Sequence, residues 1–319
     1  MENTGEIKTN FEDAIPVVSV CVQTFRHAAF IEQCLNSILE QETTFPFEII
    51  LGEDESDDGT REICIRFAEQ YPGKIKLFLR SRKDVIYISG KPTGRYNFIQ
   101  NIYTSQGKYI AMCEGDDYWS DRFKLQKQHD LLEKNPDYGI CFHKVQEVNS
   151  FNPANNKIFP DISEDTVFSI RDYIKSNKTA TCSIFFNKSL LLPLPDWFYK
   201  LPFGDLGLVL LIMSRSNEKG IVLNSIMGVY RVHDKGIHGS MKKDSRSIVN
   251  AYRQHLQFTA IIGNEFLTAS RYRKDITRKM IDTLAIIRNH YRDDKNYKGV
   301  FMSSIRMYYY KVLNKLSAA

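Results

Sequence analysis

Hydrophobic positions along the first 120 residues fall into blocks that switch between two periods. Val17 to Val22, after Pro16, is a β-branched run bounded by polar chain, the signature of a short buried strand. Ile31, Cys34, Leu35, Ile38 and Leu39 then recur at helical spacing, one face of an amphipathic helix. Phe47 to Gly52 predicts a second strand, and a helix containing Ile63, Ile65, Phe67 and Ala68 stops at Pro72-Gly73. Ile75 to Leu79, a helix over Tyr96 to Ser105 and a strand over Tyr109 to Cys113 continue the series. Strand and helix alternating through short connections predict an α/β fold, a mostly parallel, Rossmann-like sheet flanked by helices.

Beyond Asp137 the rhythm loosens. Gly139 to His143, Thr181 to Phe186 and Ile226 to Val232 predict further strands, Asp205 to Met213 a helix, and the chain from Ser245 onward is helical in pattern. The organisation read from this is a polar leader over 1–15, a catalytic domain over 16–243 with halves at 16–120 and 121–243, and a basic helical region over 244–319. The polar N-terminus predicts a cytoplasmic protein without a signal peptide, and six scattered cysteines without a CxxC pair predict reduced thiols.

Charge sharpens the division. The net charge is +5 overall, yet residues 244–319 carry 14 Lys/Arg against 6 Asp/Glu, a net of +8, which leaves the first 243 residues at about −3. An acidic body and a basic tail call for separate explanations.

The acidic positions sit where chemistry would. In parallel α/β sheets ligands bind at the carboxyl ends of the strands. Here those ends read Thr24-Phe25-Arg26, Glu53-Asp54 and Glu114-Gly115-Asp116-Asp117. No GxGxxG follows the first strand and no P-loop motif occurs, which disfavours dinucleotide and P-loop binding. Glu114, Asp116 and Asp117 crowd three carboxylates after an apolar strand, so they need a cation or full hydration. An oxygen donor set suits Mn²⁺ or Mg²⁺, ions that bridge carboxylates to phosphates. Asp121 is an N-cap candidate for the next helix.

Val18 to Thr24, Glu48 to Thr60 and Tyr109 to Trp119, taken in order, resemble the three signature blocks of family 2 glycosyltransferases. The second block stands here as Glu53-Asp54-Glu55-Ser56-Asp57-Asp58-Gly59-Thr60, and the DXD metal motif as Glu114-Gly115-Asp116. Glu114 and Glu53 depart from the usual Asp without losing charge. The resemblance implies a GT-A fold with a helical C-terminal extension. It also implies an inverting, metal-dependent transfer of a sugar from a nucleotide-diphosphate donor, a UDP-sugar above all, to a saccharide or lipid-linked hydroxyl in surface polysaccharide assembly. Carried onto matched positions, it implies donor contacts at Thr24, Phe25, Glu53, Asp54, Arg95 and Asn97. Asp116 is the implied metal ligand, supported by Glu114 and Asp117. The implied general base is Asp205, at the start of an apolar helical run, with Asp196 as runner-up. The segment Val229 to His233 is similar to a family strand ending in Arg-x-His, followed here by Ser240, which implies Arg231 as a phosphate partner and His233 as a further metal ligand. His238 is placed with the same loop. The other histidines, His27 among them, are read as structural or surface groups. Tyr118 and Trp119 offer aromatic faces to an acceptor sugar.

From Tyr297 onward, Phe301, Ile305, Tyr308, Val312 and Leu316 form a stripe at helical spacing in a segment with four Lys/Arg and no acids. The expectation is a peripheral contact with an anionic membrane on its inner face, the alternative being a helix docked on the domain or on a homodimer partner. No nucleic-acid module is recognisable. Two other functions are compatible with the motifs: a nucleotidyltransferase, and a sugar-nucleotide-binding protein without catalysis.

Overall fold

A computed structural model of the protein describes residues 15–233 and 245–316. Most of the leader, the boundary near 243/244, His238 and Ser240 lie outside the described residues. The chain runs β1 (Val18–Thr24), α1 (Ile31–Leu39), β2 (Phe47–Glu53), α2 (Thr60–Gln70), β3 (Ile75–Leu79), a hairpin of β4 (Ile86–Ile88) and β5 (Lys91–Thr93), α3 (Arg95–Thr104) and β6 (Tyr109–Glu114). It continues through β7 (Tyr118–Trp119), α4 (Lys124–Lys134), β8 (Ile140–Asn149), β9 (Lys157–Phe159), β10 (Thr166–Ser169), α5 (Ile170–Lys175), β11 (Phe185–Asn187), α6 (Gly204–Ser214) and β12 (Lys219–Val232). Three helices follow: α7 (Ser245–Ile261), α8 (Ser270–Asp293) and α9 (Tyr297–Leu316).

The sheet has the order β10-β12-β8-β11-β6-β1-β2-β3. β3, β2, β1 and β6 are parallel, as are β8 and β12, but the sheet as a whole is mixed, where the sequence predicts a mostly parallel one. The antiparallel members are β11, wedged between β6 and β8, the edge strand β10, and the short β7 and β9, which pair with β12 and β8. The strand expected over Thr181–Phe186 is shorter than its apolar run, because Thr181–Ser183 coils into a 3₁₀ turn before β11.

Period-two alternation sorts each central strand between two cores. Val18, Val20, Val22, Ile49, Leu51, Ala111 and Cys113 face α1, α2 and α4, whereas Cys21, Ile50, Ile110 and Met112 face α3 and α6. Helix α6 is buried around nearly its whole circumference, as its unbroken apolar run Leu208–Met213 requires. A third core, of Val249, Leu256, Met280, Leu284, Ile287 and Met307, joins α7, α8 and α9. Phe258, Ile262, Leu267 and Tyr272 fasten that bundle to the main core. All six cysteines are buried and free. Among the described residues no helix is long and apolar enough to cross a membrane.

One lysine breaks the pattern. Lys124 opens α4 fully buried, its ammonium 3.8 Å above the Trp119 ring and without a hydrogen-bond partner. Burial pulls its pKa down to about 7. The folded protein therefore binds fewer protons than the unfolded chain between pH 7 and the ordinary lysine value, so stability rises with pH across that window. Lys124→Met, which keeps the volume, is expected to raise stability by a few kcal/mol at about pH 6 and to lose that advantage near pH 10. Chemical denaturation at the two pH values measures this; equal gains at both would refute it.

Candidate active site

The carboxyl ends of β1, β2 and β6 lie side by side, because Thr24 pairs in register with Glu53 and Gln23 with Glu114. The turn after β6 is the centre of the site. Carboxylate oxygens of Glu114, Asp116 and Asp117 lie within 4.8 Å of one another. Burial pushes Glu114 up to about 8, with the charges of Asp116 and Asp205 adding to the rise. Asp117 is raised for the same first reason, and its Oδ2 is buried without a hydrogen-bond partner. Burial works to raise Asp116 as well, but the hydrogen bond from His233 and the nearby His27 outweigh it and hold the carboxyl low. Crowded, desolvated carboxylates with an orphaned oxygen fit a divalent cation.

Two histidines flank Asp116. His233 Nε2 lies 3.0 Å from Asp116 Oδ2 and His27 Nε2 3.6 Å from it. The fold thus brings His233, expected as a further metal ligand, against Asp116. His27, read from the sequence as a structural or surface group, is the residue that reading missed. It reaches the turn because Arg26 adopts a positive φ of 57° and reverses the chain just after β1. The local signal available was the strand-end position, three residues after Thr24.

Gly115 is needed for close approach. A Cβ there would lie 2.6 Å from Thr24 Oγ1 and 2.9 Å from His27 Nδ1, atoms themselves 3.2 Å apart. Gly115→Ala is expected to cost about 1–3 kcal/mol of stability through overpacking and to lower turnover by displacing Thr24 and His27. Thermal melts and kcat/KM measured together check it; a neutral effect on both would show that the turn relaxes freely.

The remaining expected residues fall into groups. Asp54 is buried against Arg82, their closest atoms 2.5 Å apart. Burial raises its pKa, and Arg82 opposes the rise. The same guanidinium lies 4.4 Å from the centre of the Phe25 ring, so Arg82 organises both side chains. Glu53 is fully buried, bonded to Arg61 and to the Ser56 N–H, and closes the acidic turn from within. Asn97 donates to the Gly52 carbonyl and accepts from Arg80, clamping the end of β2. Arg231 donates its backbone N–H to Asp117 and its guanidinium to the Asp116 carbonyl and the Gln33 side chain. It braces the acidic turn through these bonds.

Arg95 is buried, and burial lowers its pKa to about 10 while Asp205 opposes the fall. It donates to the Leu201 carbonyl, and a Cβ on Gly204 would lie 2.5 Å from its guanidinium carbon. Arg95 therefore sits beneath the first turn of α6, which carries Asp205. Asp205 Oδ2 accepts from the Thr181 hydroxyl at 3.3 Å, and that hydroxyl also lies beside Glu114. Thr181 links the base candidate to the acidic turn. Asp196, the runner-up, opens a separate 3₁₀ turn.

Tyr118 is half-buried, its ring under the Arg231 guanidinium at 4.5 Å. Trp119 corrects the sequence expectation. It is 3% exposed and its Nε1 donates to the Cys182 carbonyl, which leaves no face for an acceptor. Asp121 accepts from the Phe123 N–H at 2.8 Å, in the turn before α4.

Comparison with known proteins bears on the whole arrangement. The family model described as Glycosyl transferase family 2 matches residues 19–191, more than half of the chain. The putative teichuronic acid biosynthesis glycosyltransferase TuaG of Bacillus subtilis is 29% identical over 120 residues, which cover 37% of this chain and 42% of TuaG. The chain spans 62% of the length of the mycobacterial relatives it matches at 27% identity, whose names assign no activity. Among solved structures, S. aureus TarS 1–349 in complex with UDP-GlcNAc superimposes with a TM-score of 0.54 at 16% identity, over 85% of this chain and 81% of that one. The mannosyltransferase PcManGT from Pyrobaculum calidifontis, in complex with GDP-Man and Mn²⁺, does so with a TM-score of 0.54 at 18% identity, over 96% and 85%.

Proposed function

The chain belongs to glycosyltransferase family 2, and from that premise we propose an inverting, metal-dependent transfer of a sugar from a nucleotide-diphosphate donor to a saccharide or lipid-linked hydroxyl. The observation that carries it is the meeting of Glu114, Asp116 and Asp117 with Asp205 across Thr181. Surface polysaccharide assembly is the proposed setting, in line with the name of TuaG. The donor expected is a UDP-sugar; one structural neighbour was solved with UDP-GlcNAc and the other with GDP-Man.

Asp205 removes the proton of the acceptor hydroxyl as its oxygen bonds to the anomeric carbon, while the bond from that carbon to the diphosphate breaks on the opposite side. Asp116, with Glu114, Asp117 and His233, would hold Mn²⁺ or Mg²⁺, which supplies compensation for charge developing on the leaving diphosphate. Thr24 and Asp54 face the nucleoside, with Arg82 fixing Asp54 and Phe25. Tyr118 is kept as the acceptor-side aromatic. A peripheral contact with an anionic membrane through α9 completes the reading.

A nucleotidyltransferase would need a free basic cradle after β1. The cation there, Arg26, is instead committed to Asp57 by two bonds of 2.7 and 2.8 Å. A panel of nucleotide sugars with Mn²⁺ or Mg²⁺, scored for hydrolysis and transfer, tests the proposal. Donor binding without turnover would establish the non-catalytic alternative. Diphosphate release from a nucleoside triphosphate and a sugar phosphate would establish the nucleotidyltransferase.

A further inference from the structure

A cavity of about 280 Å³ lies between α7, α8 and α9, far along the chain from the acidic turn. Leu256, Leu284 and Met302 line one part of it, and Arg253, Lys298 and Arg306 bring three cations to the rest. No lining residue is acidic, and none of the three cations has a carboxylate partner among the described residues. Arg253 is aimed by the Tyr291 hydroxyl, which accepts its guanidinium N–H at 2.5 Å. A basic, partly apolar cavity of this size suits a phosphate ester joined to an apolar chain, and is small for a sugar nucleotide.

The cavity is continuous with an exposed apolar face. Of 17 exposed large hydrophobic residues described, seven lie on α9: Tyr297, Phe301, Met302, Ile305, Tyr308, Tyr309 and Val312. Met302 belongs to both surfaces, since it lines the cavity and is 51% exposed. The opposite side of α9 is anchored by Met307 in the helical core. The helix is thus held on the bundle while it presents tyrosines, aliphatics and lysines outward, the residue mix of a helix lying in a membrane interface. A second copy is a poor cover for this face, because two-fold pairing would set its uncompensated cations against themselves.

We infer that this cavity binds the phosphate of an anionic membrane lipid between Arg253, Lys298 and Arg306, with the outer face of α9 lying in the lipid interface. The inference rests on the reading that the protein works at a membrane surface, and adds to it a headgroup site. The full chain is sedimented with vesicles of phosphatidylcholine alone and of phosphatidylcholine mixed with phosphatidylglycerol. Binding only to the mixed vesicles is expected, weakened about tenfold to thirtyfold in R253Q/R306Q and retained in R253K/R306K, which keeps the charge. F301S/Y308S should also lose binding, and donor hydrolysis should be unchanged in every variant. If R253Q/R306Q binds as the unsubstituted chain while F301S/Y308S does not, the headgroup site is overturned and the membrane reading stands. If neither vesicle binds and sedimentation shows a dimer that F301S/Y308S abolishes, a second copy covers the face and both fail. If inorganic phosphate protects the cavity residues from chemical modification but no vesicle binds, the site is for a soluble phosphate and the inference also fails.

Discussion

Asp116→Asn is expected to lower kcat/KM for sugar transfer by about a thousandfold, the scale of losing one preorganised electrostatic contact at the reacting phosphates. The size of the effect follows from the position of this carboxylate. It is the member of the acidic turn whose charge is kept, because two imidazoles face its Oδ2, whereas burial drives Glu114 and Asp117 toward the neutral form. An amide preserves the shape and the side-chain oxygen that can meet His233, but not the charge. Stability should fall modestly, because the amide no longer carries the charge that His233 and His27 stabilise. Initial rates across a Mn²⁺ titration, beside a thermal melt, separate the two consequences. An unchanged rate with an unchanged metal dependence would remove Asp116 from the site.

Asp205→Asn is expected to lower kcat by about a hundredfold to ten-thousandfold while donor affinity stays the same, the signature of a missing general base. The environment favours that split. Asp205 stands at the first turn of α6, hydrogen-bonded to the Thr181 hydroxyl beside the acidic turn, and the amide can still accept that hydrogen bond. Calorimetric binding of the sugar nucleotide and single-turnover transfer give the two quantities independently. Equal losses in both would make Asp205 a structural cap, and the base would then have to be sought elsewhere.

What could be read in the linear chain was whatever depends on local period and on strand ends. The runs around Val20, Ile49 and Ala111 gave parallel strands because their alternation needs two covered faces, and the acids that follow them fell together because parallel strands end together. What could not be read depends on how the chain turns between elements. His27 enters the site through a reversed backbone at Arg26, a conformation that arginine rarely signals. Thr181 enters through a 3₁₀ turn within an apolar run that resembles uninterrupted strand. Arg95 and Asn97, placed near the donor by the family resemblance, are buried beneath α6 and the end of β2, because α3 packs its polar first turn inward. Lys124 is buried over the Trp119 and Phe185 rings, the second a contact between distant parts of the chain that no local period announces. The apolar stripe of α9 left two outcomes open; the fold docks one side of the helix on the bundle and leaves the other exposed.

The bracing of the acidic turn by the end of β12 also sets an order in time. Asp117 and Arg231 are 114 positions apart, so during synthesis the acidic turn emerges well before the residues that hold it. At roughly 5–20 residues per second the delay is on the order of ten seconds. Through that interval the nascent chain presents a knot of mutually repelling carboxylates with no Arg231 and no His233 to steady them. A fragment stopped near residue 120 should therefore behave as an unfinished folding intermediate, and stretches of slow translation before residue 233 should be the ones that lower the yield of folded protein.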